Sequence, residues 1–349
     1  MATVNLSGIA SVLATLFEDR IATQINRSVV LAQLLQIKNG TGKNIQWVAR
    51  FGDAVPTGAV IADGADVTTY NSDTKVAAVL QFGTYHDAFA ITGKARFGAM
   101  AAGNPAELED LFAEEIMESV TRLAMAISTD LYDGDGSSDT IMGLVDATAG
   151  GLIATGTYAG INRSTYAQWA GNVDANGGVA RPLTVDLMRK MRRLIYIASG
   201  MKPDLIVCDP VQHEKYATLF GNDRRYIQDV RLRGETIKLD GGMQVLEFDG
   251  IPVVEDVSAP SGKMLFLNTN QVFLQQLPQG VDAMNRSMGM IPLSGTPEEQ
   301  YGAGKPTFTA RINPLAVTGD AYKFQLINYP QIQVKRPNSC GILDDLETT

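Results

Sequence analysis

Two histidines and two cysteines in 349 residues leave this sequence little with which to build the commoner catalytic and metal-binding constellations. The cysteines are Cys208, inside the apolar run LIVCDP, and Cys340 near the C-terminus. They can form neither a disulfide framework nor a four-ligand zinc site, and they fit a reducing compartment. No stretch approaches the roughly 18 apolar residues of a membrane-spanning helix. The opening MATVNLSGIASV lacks the basic-then-apolar order of a secretory signal, so the expectation is a chain made in the cytoplasm with no membrane partner. Positive charge is also short: 29 Lys and Arg stand against 38 Asp and Glu, a net charge of −9. The chain therefore lacks the basic footprint of a protein that grips nucleic acid through its phosphates. The local clusters RKMRR (Arg189 to Arg193) and RRYIQDVRLR (Arg224 to Arg233) lie among apolar residues and read as solvated helix faces or subunit contacts.

Motifs that would carry chemistry fail at defining positions. GLIATGTY has glycines at Gly151 and Gly156 but Thr157 where a phosphate-binding loop needs lysine. GTGKN supplies Lys43, but Ile37 replaces the first glycine and Asn44 the Ser/Thr. Asp133, Asp135 and Asp139 open like a calcium loop, yet Ser138 stands where its glycine belongs and Leu144 where its bidentate glutamate belongs, so a turn is expected. There is no Gly-x-Ser-x-Gly elbow. His86 falls in a β-rich stretch and reads as polar surface, while His213 reads as an exposed helix start. Neighbouring Glu114 and Glu115 point in different directions on a helix. No catalytic, cofactor-binding or metal residue is assigned, and no cofactor. A soluble α/β enzyme would have to rest on Asp209 at the end of the LIVCDP strand, without a converging set of polar groups.

What the sequence does contain is a clear order of elements, α+β in class. Residues 8–37 carry apolar residues at helical spacing and stop at KNGTGK, which predicts a helical arm. NIQWVARFG alternates like a strand. The small-residue stretch from Asp53 to Gly93 predicts a long hairpin with too few large side chains for a core of its own. From Asn104 as cap, with Pro105 and Glu107 behind it, Leu108, Leu111, Phe112, Ile116, Val120, Leu123, Ile127 and Leu131 recur every three or four residues, predicting one long helix. A second helix is bounded by Thr184 and Gly200. DLIVCD then reads as a strand and PVQHEKYATLFG as a helix. Strands follow in MQVLEFDGIPVVED and KMLFLNTNQVFLQQL, with turns at Asp249-Gly250 and Pro260-Ser261-Gly262.

Taken in order, these segments resemble the major capsid proteins of tailed bacteriophages, the Hong Kong 97 fold. DGDGSSDTIMGLVDA after the long helix resembles that family's Gly-Asp-Gly turn and Gly-Leu. PDLIVCDPVQHEKYATLFGNDRRYI is similar to the axial-domain strand and helix, and LEFDGIPVVEDVSAPSGKMLFLNTNQVFL to its later strands. INYPQIQVKRPNSCGIL is similar to the strand that closes the peripheral domain. YAGINRSTYAQW is similar to a segment found after the Gly-Leu, with a structural role: Tyr158, Tyr166 and Trp169 supply packing area, and Arg163 reaches backbone or a neighbouring subunit. The resemblance implies an N-terminal arm (1–50), an extended β-hairpin loop (51–95), a peripheral domain with a long spine helix (96–183 and 300–349) and an axial domain (184–299). It implies a non-enzymatic subunit that self-assembles as hexamers and pentamers into an icosahedral virion capsid in the bacterial host cytoplasm. The shell would enclose double-stranded DNA without sequence-specific binding. Partners implied are a portal, a separate scaffolding protein, since residues 1–50 alone precede the loop, and a possible cement protein. Lys75 is the one lysine suited to an isopeptide cross-link, and with no assignable partner the expectation is an uncrosslinked shell. An encapsulin-type compartment shares the fold and stands as the alternative.

Overall fold

The computed structural model describes residues 30–52, 63, 64, 66, 74–94, 97, 105–219, 226, 227, 229–232, 235–238, 245–277, 291, 292, 311–315 and 320–348. Most of the predicted arm, the hairpin tip and the cap at Asn104 lie outside them. Four helices are used below: α1 (Val30–Leu34), α2 (Pro105–Asp133), α3 (Val185–Ser199) and α4 (Pro210–Leu219).

Where the helical spacing of the arm runs on to Ile37, α1 stops at Leu34 and Gln36–Asn39 becomes a strand. It pairs in parallel with Val272–Gln276, which pairs on its other side with Pro330–Val334. A free strand edge from the far part of the chain outweighs local helical preference here. Asn44–Phe51 is a strand, as its alternation predicts, and pairs antiparallel with Thr74–Gln81 in full register from Asn44↔Gln81 to Phe51↔Thr74. The hairpin therefore rises from Asn44. The strand Tyr85–Thr92, expected within the same hairpin, instead pairs along its whole length with Ala321–Asn328. The hairpin base also has a core after all: Ile45, Ala49, Phe51, Ala78 and Leu80 are buried in the main hydrophobic cluster.

Helix α2 runs 29 residues, about 43 Å at 1.5 Å per residue. Ile116, Val120, Leu123, Ile127 and Leu131 are all buried, which is the predicted stripe as far as side chains are described. The helix packs on Tyr85–Thr92, in the four-stranded sheet that also holds 291–292, 311–314 and 321–328. After it, α3 starts at Thr184, whose hydroxyl accepts from Leu187 N–H at 3.2 Å, and ends at Gly200 with φ 70°. Both boundaries follow from local chemistry: an N-cap oxygen and a residue free to turn left-handed.

A seven-stranded mixed sheet holds the second half of the chain, in the order 172–174, 341–343, 264–267, 205–208, 251–255, 245–248 and 226–227. Alternation along its strands divides two cores. Ile206, Cys208, Met264 and Phe266 pack under α3 and α4 with Met188, Met191, Ile195 and Tyr216. Leu205, Val207, Leu265 and Leu267 face the other way, into the cluster shared with α1 and α2. The Asp249-Gly250 turn has φ 49° and 83°, as a tight hairpin requires. The closing segment serves two sheets: Pro330–Val334 joins the three-stranded one, while Gly341–Leu343 enters the large sheet beside Met264–Phe266.

Candidate functional site

Asp209, on which a catalytic reading would rest, is 5% exposed and occupied as a helix cap. It follows the strand Leu205–Cys208 and precedes Pro210, accepting from Gln212 N–H at 3.4 Å and from the Ser261 hydroxyl at 3.3 Å. Burial raises its carboxyl above the usual range. Beside it the Cys208 thiol is fully buried, and burial pushes it far above the ordinary thiol range, so it holds no thiolate at neutral pH. Burial likewise pushes Cys340 up to about 11. His213, expected on the surface, is half-buried with Nδ1 3.4 Å from Glu255. Desolvation lowers its pKa and Glu255 opposes the shift. His86 is exposed. Among the described residues, no three His, Cys, Asp or Glu side chains converge where a metal could sit.

In the DGDGSSD segment Asp135 spends its oxygens locally, accepting from Ser137 N–H and hydroxyl and from the Thr140 hydroxyl. These bonds hold its carboxyl below the usual range. Gly143 closes the turn where a Cβ would lie 2.6 Å from Tyr132 O and 2.7 Å from Gly134 N, so no larger residue fits.

The segment from Gly151 to Gly171 is a bracket built around a buried cation. Arg163 is 3% exposed, and its guanidinium donates to the carbonyls of Gly150, Gly151, Thr155 and Trp169 at 2.8–3.3 Å. Burial lowers its pKa to about 10, which still leaves it a cation at neutral pH. Trp169 Nε1–H donates to Tyr158 O, and the Tyr158 hydroxyl accepts from Val334 N–H at 2.8 Å. The bracket grips the hairpin base. Phe51 stacks on Tyr166 with centroids 4.5 Å apart and meets Trp169 edge-on at 5.8 Å, and Val79 N–H donates to Ala159 O. Of the two roles open to Arg163, reaching backbone is the one observed.

Sequence reasoning missed Asp256. This 3% exposed carboxylate accepts from Leu31 N–H of α1, from the Tyr132 hydroxyl at the end of α2 at 2.7 Å, and from Ser258 N–H. It ties three separate parts of the chain at one point. The only signal was its place, an acid at the end of a strand with a small-residue turn behind it.

Among the described residues several large apolar side chains are exposed, Val257 and Val48 included. Tyr196 and Ile197 stand 52% and 73% exposed on α3. A groove of about 450 Å³ beside α4 is lined by Pro182, Leu183, Val211, Glu214, Leu219 and Glu347, among others. Of the RKMRR cluster, Lys190 pairs with Asp174, Arg192 with Asp249 and the exposed Arg189 with Asp186, and Arg193 is exposed, so within the subunit the cluster lies on a helix face. The side chains of the Arg224 to Arg233 cluster lie outside the described residues.

The sequence profile described as SU10 major capsid protein matches residues 16–296. A comparison with curated proteins gave no match. Among solved structures, the capsid asymmetric unit of cyanophage A-1(L) aligns over 91% of this chain and 92% of its own, with TM-score 0.69 and 21% identity. The capsid of a native GTA particle aligns over 91% and 90%, with TM-score 0.54 and 12% identity. The holo-SrpI encapsulin complex of Synechococcus elongatus aligns over 92% and 88%, with TM-score 0.51 and 11% identity. At these identities the structures establish the fold, and it is the fold of phage capsid subunits.

Proposed function

The chain belongs to the SU10 major capsid protein family, and from that membership we propose that copies of it close into the icosahedral shell that encloses the double-stranded DNA of a tailed bacteriophage. One observation carries the reading: the family profile spans residues 16–296, and so covers the hairpin, α2 and most of the large sheet together. The role is structural. The side chains on which a chemical reading would rest, Asp209 for catalysis and Asp135 for a calcium loop, are consumed by caps and turns. The encapsulin similarity reflects a shared fold, while the family match favours the phage shell.

In this reading the axial domain (184–299) takes α3, α4 and the large-sheet strands from 205–208 to 264–267, and the peripheral domain (96–183 and 300–349) takes α2 and strands 311–314 and 321–328, and lends strands 172–174 and 341–343 to the edge of the large sheet. The hairpin from Asn44 to Gln81 is the base of the extended loop. A separate scaffolding protein and a portal act in assembly, with a cement protein as a further possible partner, and assembly takes place in the host cytoplasm. The shell is held without covalent links. Lys75, exposed on the hairpin and opposite Arg50, is the lysine to watch. Electron microscopy of the purified chain, expressed alone and with the other head proteins, tests the proposal. Closed icosahedral shells large enough for a genome support it. Small uniform cargo shells, or no particles under either condition, overturn it.

A further inference from the structure

Helix α3 carries an apolar knob at one end and borders a hole at the other. Its solvent-facing stripe runs Arg189, Arg193, Tyr196 and Ile197, while Met188, Met191 and Ile195 fill the subunit's own core from the opposite side. Tyr196 and Ile197, just before the cap at Gly200, are large exposed side chains for which this core has no use. At the other end Pro182 and Leu183 lead into the helix and line the groove beside α4, with Val211 and Leu219 as further apolar walls. From Val185 to Ile197 the helix rises about 18 Å, so knob and hole of one copy are held apart by a rigid element.

The charges around the two are opposite in sense. Near the knob stand exposed Arg193, Lys202 with its ammonium 5.9 Å from the Tyr196 ring, and Arg336, which donates to Ser199 O. At the hole stand exposed Glu214 and the half-buried Glu347; Lys215 also lines it, with its ammonium engaged on Glu347 O at 2.7 Å. A surface that complements a different surface of the same molecule makes head-to-tail contacts, which close into rings when the rotation allows.

We propose, resting on the shell reading above, that the Tyr196/Ile197 end of α3 in one copy docks into the α4 groove of the next copy, and that this contact repeats around each ring of subunits. Arg193 of the knob meets Glu214 of the hole, and Ile197 lies against Leu219.

Cysteine cross-linking tests this directly, because the native Cys208 and Cys340 are both buried and free. A chain carrying both Ile197→Cys and Leu219→Cys is assembled and oxidised. The expected product is a covalent ladder extending through trimers to closed rings, whereas either single substitution gives no ladder. Shells that form normally but yield no ladder overturn the contact and leave the shell reading intact; wild-type chain that forms no particles either alone or with the other head proteins overturns the shell reading itself. A second measurement uses Ile197→Asp and Leu219→Asp chains, both changes being at exposed positions that leave the fold intact. Mixed together, they retain one good interface per pair and stop at dimers in sedimentation. Rings or shells from either variant alone count against the proposal.

Discussion

Arg163 takes its charge into the interior and meets carbonyls rather than a carboxylate. Four acceptors of one loop are fixed by one planar group, and removing it leaves buried oxygens without donors. Because a bond to a charged donor counts for about 1.5–3 kcal/mol and an orphaned buried acceptor for about 1–3 kcal/mol, Arg163→Met should destabilise the unassembled subunit by about 3 kcal/mol. Arg163→Lys should fall between, since an ammonium keeps the charge but not the fork. Urea unfolding monitored by tryptophan fluorescence measures both, and a shift under 1 kcal/mol for the methionine variant would show that the loop holds itself. His213 gives a pH effect of definite sign. Its folded pKa lies below the ordinary value of about 6.5, so on acidification the unfolded chain takes up the proton first. Stability is therefore lost as pH falls from about 6.5 through the folded pKa, and His213→Gln should flatten that slope. Unfolding midpoints between about pH 5 and 7 decide the matter, and parallel curves for the two proteins would remove His213 from the account.

At the scale of elements, the bracket and the hairpin base behave as one unit. Phe51, Tyr166 and Trp169 stack across separate segments, so strands Asn44–Phe51 and Thr74–Gln81 should be protected from hydrogen exchange even in the unassembled chain. Trp169→Ala, with a cost of about 3–5 kcal/mol for a buried indole, should speed exchange in those two strands more than in residues 116–131 of α2. Equal acceleration in both places would mean that the tryptophan stabilises only the whole. This departs from the sequence reading, in which the hairpin had no core of its own. The reason is physical: small residues such as Ala49 and Ala78 are buried in a cluster that takes in Tyr158 and Trp169, roughly 80 to 120 residues further along the chain, and no local pattern announces that. Boundaries set by local chemistry were legible, as at Thr184, Gly200 and Asp249-Gly250. So was the structural role of Arg163 and Trp169. Where distant strands decide, legibility ends: α1 gives way at Gln36 to pair with Phe273, and Gly341–Leu343 enters the large sheet. Asp256 was hidden for the same reason, since its donors come from Leu31 and Tyr132. The run LIYIA in α3, by contrast, shows directly that a helix must leave some of five consecutive apolar residues outside.

For the whole molecule, the division between what folds the subunit and what joins subunits can be cut at one place. The hairpin's ladder is complete from Asn44↔Gln81 to Phe51↔Thr74, and its inner face is already buried within the subunit. The described register ends at Phe51↔Thr74. Replacing residues 54–72 by Asn-Gly, which with the retained Gly52, Asp53 and Asp73 makes a five-residue hairpin connection, should therefore leave a folded, soluble subunit with an unchanged unfolding midpoint. Shell closure requires every subunit to hold several neighbours at once, and losing one contact per copy is multiplied around the closed surface. The shortened chain should then sediment as subunits or small rings and yield no stable shells. Circular dichroism and thermal unfolding establish the first half, sedimentation velocity and electron microscopy the second. A chain that unfolds when shortened would place residues 54–72 in the subunit's own stability. Normal particles from the shortened chain would mean that the shell is closed by other surfaces, with the α3 knob and the α4 groove first among them.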